Sequence, residues 1–287
     1  MADRDKIDRV SIHGGHSGQF CLHARDQLEE IVLTYIEKGF CWVGLTEHMP
    51  PVSDAFRYAD EVRQGITAEE LHQQFGVFVA EARRLQAAYR DRIQLFVAME
   101  SEWYPGSQKL VQDLREQYHL DYIVGSVHHV RGVNFDFSPT EYERARDSLG
   151  GMDALYAAYF DDQLAMIEGL RPEVVGHFDL VRLYDPEYPR RLQQPEIARR
   201  MTRNLLRIRE LDLCLDLNMR ALDKGASEPY LSRPLLREAL ELGIAVVPGD
   251  DSHGVASVGS GIDRAIELLT ELGGSCRWRQ PTRIAVA

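Results

Sequence analysis

The chain has 287 residues, 44% of them hydrophobic and 27% charged, which supplies a substantial core and excludes a disordered chain. Thirty-three basic residues against 45 acidic ones leave a formal charge of -12, which disfavours a phosphate-backbone binder, so no nucleic-acid partner is expected. No run approaches the roughly 18 apolar residues of a membrane span, and the leading MADRDKIDR stretch is too polar for a signal peptide, so a cytoplasmic protein without membrane contact is expected.

A short apolar run, then polar residues, then a helix-period segment recurs along the chain with no sequence repeat, low-complexity tract or linker, so residues 1–287 read as one domain. The first run is Val10 to Ile12, ending at His13; Asp26 and Glu29 then stand in capping-box spacing before a helix near Gln27 to Lys38, which Gly39 stops. Trp42 to Thr46 is a second strand ending at Glu47-His48, and Thr67 with Glu70 opens a long amphipathic helix through about Tyr89. Ile93 to Met99 is a third strand ending at Glu100, a helix follows over Gln108 to Tyr118, and Tyr122 to Val127 is a fourth strand ending at His128. A helix over Met152 to Glu168 precedes a short fifth strand, Glu173 to Gly176, ending at His177. Helices at Pro195 to Leu211 and Arg233 to Leu242 flank a sixth strand, Cys214 to Leu217, and Ile244 to Val247 is a seventh, ending at Gly249-Asp250-Asp251.

Alternating strands and helices predict parallel strands with helical crossovers, as an open sheet or a barrel. An open sheet concentrates function at one switch point. Here nearly every strand ends in His, Glu or Asp, and such ends converge on one place only if the strands close around it. An α/β barrel of about seven strands is therefore expected.

Of ten histidines, seven lie in or just after strand ends: His13, His16, His23, His48, His128, His177 and His253. One such histidine is ordinarily a hydrogen-bonded structural residue, but seven joined by Glu100 and Asp251 suit zinc, iron or manganese and exceed the ligands of one tetrahedral ion. A multinuclear site is expected, of the kind that generates hydroxide and clamps the oxygens of an in-line displacement in phosphoester or amide hydrolysis. Cys21, Cys41, Cys214 and Cys276 form no CxxC pair, which indicates neither a disulfide framework nor a thiolate zinc knuckle. Cys21 beside His23 fits a thiolate ligand or a packed neutral cysteine.

Six ordered stretches, HGGHSGQFCLHA from His13, GLTEHMPP from Gly44, MESEWYP from Met99, GSVHHV from Gly125, GHFDLVR from Gly176 and GDDSHG from Gly249, resemble the polymerase and histidinol phosphatase (PHP) superfamily, in its histidinol-phosphate phosphatase branch. The resemblance implies a distorted (β/α)7 barrel of TIM-like type holding three metal ions, and two or three divalent transition-metal ions are expected. It implies His13, His16, His23, His48, His128, His177, Asp251 and His253 as ligands, Glu100 as a bridge between two metals, and Glu102, Asp250 and His129 as neighbours. It supplies no sulfur ligand. Where the family has H-x-H this chain has H-x-x-H, and Gly14 and Gly15 are expected to absorb the extra residue in a bulge.

A phosphate needs cationic partners besides metals. Arg182, Arg220 and Lys224 are the candidates, with Asn218 nearby, while Trp103 and Tyr104 are candidates to wall the pocket. The expected activity is hydrolysis of a small phosphate monoester, L-histidinol phosphate by resemblance, with Asp251 or His253 as a proton source for the leaving alkoxide. The alternatives are a related phosphoesterase for another small ester or nucleotide, and a non-catalytic metal-binding module.

Overall fold

A computed structural model describes residues 7–281; the first six residues of the polar leading stretch lie outside them. Seven parallel strands form one sheet: β1 (Arg9–Gly14), β2 (Phe40–His48), β3 (Gln94–Ser101), β4 (Ile123–Gly125), and, after the small antiparallel hairpin of β5 (His129–Val130) and β6 (Val133–Asn134), β7 (Val174–Val175), β8 (Cys214–Asn218) and β9 (Ala245–Gly249). The order β1-β2-β3-β4-β7-β8-β9 follows the chain. Its two ends meet: Asp251 N–H donates to the His13 carbonyl (2.8 Å), His16 N–H to the Ser252 carbonyl (2.8 Å), and the Ser11 hydroxyl to Asp250 Oδ1 (2.6 Å). The expected seven-stranded barrel is thus present, closed between β1 and β9 by loop and side-chain bonds rather than by a regular ladder.

Strand residues alternate between the inside and the outside of this barrel. Val10 and Ile12, Trp42, Ala98, Val124, Val174, Cys214 and Val247 share a small inner core, while Val43, Leu45, Leu95, Val97 and Met99 face the helices Leu28–Glu37, Ala68–Tyr89 and Ser107–Gln117. The same alternation puts His48 and Glu100 on the inner face at the C-terminal rim. A second outer core packs Met152–Leu170, Pro195–Glu210 and Arg233–Glu241 over the remaining strands.

The long helix starts as its spacing predicts, with Glu70 N–H donating to Thr67 Oγ1 and Thr67 N–H to the Glu70 carboxylate. The earlier helix is displaced by one residue. Its cap is Gln27, whose N–H donates to Glu30, because Asp26 turns into a left-handed conformation (φ 63°) and accepts instead from Val255 N–H in the last rim loop. No helix among the described residues is long and apolar enough to cross a membrane.

Candidate metal centre

All seven rim histidines converge at the C-terminal end of the barrel, with Glu100 in their midst. Its Oε1 lies 2.8 Å from His177 Nε2 and 3.2 Å from His128 Nε2, and its Oε2 lies 3.1 Å from His48 Nδ1 and 3.4 Å from His13 Nε2. Each carboxylate oxygen therefore addresses a different pair of imidazoles, the arrangement a bridging ligand requires. His16 Nε2 is 3.3 Å from Asp251 Oδ1, and His23 Nε2 faces His48 Nε2 at 3.2 Å.

A further set of side chains fixes the rings. Asp216 Oδ2 accepts from His13 Nδ1 (2.9 Å), Glu47 Oε1 lies 3.2 Å from His16 Nδ1, and the Asp251 carbonyl accepts from His253 Nδ1 (2.9 Å). With Nδ1 engaged in this way, each of these rings aims Nε2 at the centre. Asn218 Nδ2 donates to both Asp216 and Asp251, tying two of these acids together. Gly249 makes room: a Cβ there would come within 2.2 Å of Asp216 Oδ1 and 2.9 Å of the His13 Cβ.

His13 Nε2, His16 Nε2, His48 Nδ1 and Asp251 Oδ1 are buried without any hydrogen-bond partner. Leaving several such atoms dry costs of the order of 1–3 kcal/mol each unless something else pairs with them. Three-residue sets with ligating atoms within 4.8 Å of one another run through the cluster, among them His13-Glu100-His177, His13-His16-Asp251 and His16-His48-His253. The sets share members, so the donors suit adjoining ions better than one.

The electrostatics point the same way. Burial opposes ionisation of Glu100, but His13, His128 and His48 outweigh it and hold the carboxyl well below its ordinary range. Asp251 is likewise held low against its burial by His13, His16 and His253. Burial lowers His16, yet the nearby Asp251 and Glu47 carboxylates lift it to about 9. His23 and His253 stay neutral, through burial first and then through neighbouring imidazoles, with Lys224 and Arg220 adding to it. The protein alone thus pulls protons into a carboxylate field that divalent cations would satisfy.

Residues 14–220 match the PHP domain family. The chain belongs to that family. Along 92% of its length it is 35% identical to a Schizosaccharomyces pombe protein named a probable histidinol-phosphatase, covering 87% of it. It is 29% identical to the Saccharomyces cerevisiae histidinol-phosphatase, over 91% of this chain and 88% of that one. In fold it resembles the HisK crystal structure of Listeria monocytogenes, with a TM-score of 0.79 at 23% identity over 89% of this chain and 99% of that one. HisK of Lactococcus lactis, solved with zinc, L-histidinol and phosphate, superposes with a TM-score of 0.68 at 19% identity, over 94% and 95% of the two chains.

Within this PHP chain the extra residue of the first motif is taken up at Gly14-Gly15. The β1–β2 register slips between Ser11 and Gly14, and Gly15 adopts φ 55°, so His16 returns to the cluster within 5.9 Å of the His13 ring. Cys21 Sγ lies 3.1 Å from His23 Nε2, and burial, with Glu47 nearby, raises its thiol well above the ordinary range. Asp250 binds no cluster residue; it accepts from Tyr35, Ser11 and Gly259 and pins the β9 end to β1. Glu102 accepts from Tyr58 (2.5 Å) and sits 3.4 Å from His129 Nδ1, beside the cluster.

The phosphate candidates separate. A cavity of about 320 Å³ opens over the histidines, and Arg220 and Lys224 line it. Arg182 does not: it is buried beside Asp179 (3.2 Å), donates to the Glu228 and Pro229 carbonyls, and lies between the Tyr188 and Tyr230 rings at 4.9 and 4.8 Å. The short 3-10 turn Leu180–Arg182 directs it away from the rim. Trp103 and Tyr104 are also elsewhere, Trp103 against the second outer core and Tyr104 stacked on Phe56 at 4.1 Å. The aromatic wall is made instead by Tyr58, Phe137 and Tyr230.

Proposed function

We propose that this chain, as one domain over residues 1–287, is a cytoplasmic enzyme that hydrolyses L-histidinol phosphate to L-histidinol and phosphate with two or three divalent ions, zinc, iron or manganese. The supporting observation is the union of buried, unpartnered imidazole and carboxylate donors with two cationic side chains in one small cavity, in a chain 35% identical to a named histidinol-phosphatase. A substrate of this size fits the cavity, and neither it nor the -12 charge favours nucleic acid.

His13, His16, His23, His48, Glu100, His128, His177, Asp251 and His253 would hold the ions, Glu100 between two of them. Bound there, the ions would act as Lewis acids, lower the pKa of water and neutralise phosphoryl oxygens. Arg220 and Lys224 take part of the phosphate charge on the cavity wall and orient the ester for in-line attack. Asp251, held ionised, receives a proton from the attacking water at Oδ1, and that proton then passes to the alkoxide oxygen as its bond to phosphorus breaks. His253 is no acid in the resting site: neutral, with Nδ1–H donated to the Asp251 carbonyl, it presents a lone pair at Nε2. Asp251 therefore works first as an acceptor, a change from its expected role as proton source.

Phosphate release from L-histidinol phosphate, measured against nucleotides and sugar phosphates, tests the assignment. A kcat/KM at least tenfold above every other ester is expected; equal or better turnover of a nucleotide would transfer the site to another substrate.

A further inference from the structure

Three carboxylates line the cavity among the described residues: Glu100, Asp251 and Asp136. The first two lie within metal-ligand groupings, whereas Asp136 belongs to none of them. It stands on the segment just after β6, where Asn134 Nδ2 donates to its Oδ1 (3.1 Å) and Phe137 N–H donates to Asn134 Oδ1 (3.2 Å), so the turn holds the carboxylate in place. Its Oδ2 is 4.0 Å from His128 Nε2, beyond hydrogen-bond reach, and no arginine or lysine pairs with it among the described residues. Its side chain remains 17% exposed to the cavity.

The surroundings of Asp136 differ from those of Arg220 and Lys224. The two cations act on His253 and His23, at one side of the cavity. Asp136 lies at the other, beside His128, and its charge is felt by Tyr58 and Tyr230. The Tyr58 ring stacks 5.8 Å from Phe137, and Tyr230 sits 6.2 Å from the His177 ring. The wall toward His253 and His23 is thus basic, and the wall at His128 carries a carboxylate with no arginine or lysine partner among the described residues, set among aromatic faces with the His128 imidazole at 4.0 Å. A phosphate monoester of an uncharged alcohol would satisfy the first wall and leave the second without a partner. An ester whose alcohol carries an ammonium group a few bonds from the phosphate satisfies both, and aromatic faces favour a cation held next to them.

We propose that Asp136 is the specificity-determining residue of the cavity, pairing with the ammonium group of aminoalkyl phosphate substrates while the phosphate lies at the metal and Arg220/Lys224 side. This rests on the phosphatase reading but not on histidinol being the alcohol. The test compares 3-aminopropyl phosphate with propyl phosphate, and L-histidinol phosphate alongside, on metal-loaded enzyme. Wild type should prefer the amino ester at least tenfold in kcat/KM. Asp136→Asn should bring the two esters within about twofold, with the amino ester's KM rising more than its kcat falls and metal content retained. Asp136→Glu, which keeps the charge, should keep part of the preference. Absence of preference in wild type, its survival in Asp136→Asn, or loss of metal in that variant would overturn the proposal. A retained amino preference without turnover of L-histidinol phosphate would instead remove the substrate assignment and leave Asp136 in its role.

Discussion

The two halves of the barrel place their functional side chains by different means. In the first half, β2 and β3 pair in unbroken register from Trp42 opposite Gln94 to His48 opposite Glu100, so ladder hydrogen bonds alone set a histidine directly across from the central carboxylate. In the middle of the second half the ladders shrink to three pairs between β3 and β4 and two each between β4 and β7 and between β7 and β8, before β8 and β9 pair over five. His128 and His177 then lie beyond the strand ends, and His177 (φ 20°) and Asp251 (φ 46°) have positive φ. Buried side chains replace the missing ladder: Gln163 donates to the Phe178 carbonyl next to His177, and Asn204 donates to Gln163. A regular strand positions chemistry through backbone bonds that tolerate side-chain change, whereas a rim of short strands depends on the polar groups behind it.

Changes in the two halves should therefore fail differently. The largest effect is expected for Glu100→Gln, which removes charge from between four imidazoles while its strand stays paired: activity should fall by about a thousandfold or more, with a thermal midpoint near wild type. A comparable loss of cooperative folding would show that the ladder does not support that half unaided.

Arg182→Ala comes next and should act on stability. It leaves Asp179 buried beside the Leu231 and Ser232 amides without its cation, a kind of change that costs about 3–5 kcal/mol. Urea unfolding measures it; unchanged stability with a tenfold higher KM would return Arg182 to the phosphate.

Gln163→Leu should cost about 1–3 kcal/mol by removing two buried hydrogen bonds, leaving the Phe178 carbonyl with the Tyr159 hydroxyl alone and Asn204 Nδ2 with the Phe160 carbonyl alone, and, unlike an equally destabilising change beneath the first half, should speed metal loss during dialysis against a weak chelator. Retention at the wild-type rate would mean that the His177 loop holds itself.

The smallest effect belongs to Thr67→Ala, which removes a helix cap under the first half at about 1 kcal/mol and should leave kcat/KM within twofold.

The same contrast explains what could be read from the sequence. Rim residues ending long strands were legible, because an apolar run that stops at His or Glu states both the element and the direction of its last side chain. Glu47 and Asp216, which orient His16 and His13, were not recognised. Asp216 did carry a signal, an acid between Leu215 and Leu217 inside a buried strand, where a carboxylate needs a partner. The position of Arg182 is not legible, because five residues of sequence after His177 say nothing about the 3-10 turn Leu180–Arg182 that rotates it into the protein. Asp136, Tyr58 and Tyr230 come from loops and from the edge of a hairpin, where no periodicity predicts which way a side chain faces.

In the proposed chemistry nine rim residues form a multinuclear metal site, and stepwise reconstitution of metal-free protein tests it most directly. Zinc or manganese is added in fractional equivalents while bound metal and phosphate release from L-histidinol phosphate are measured on the same sample. Activity should rise with the second or third equivalent and saturate at two to three ions per chain. Full turnover at less than one equivalent would contradict the account.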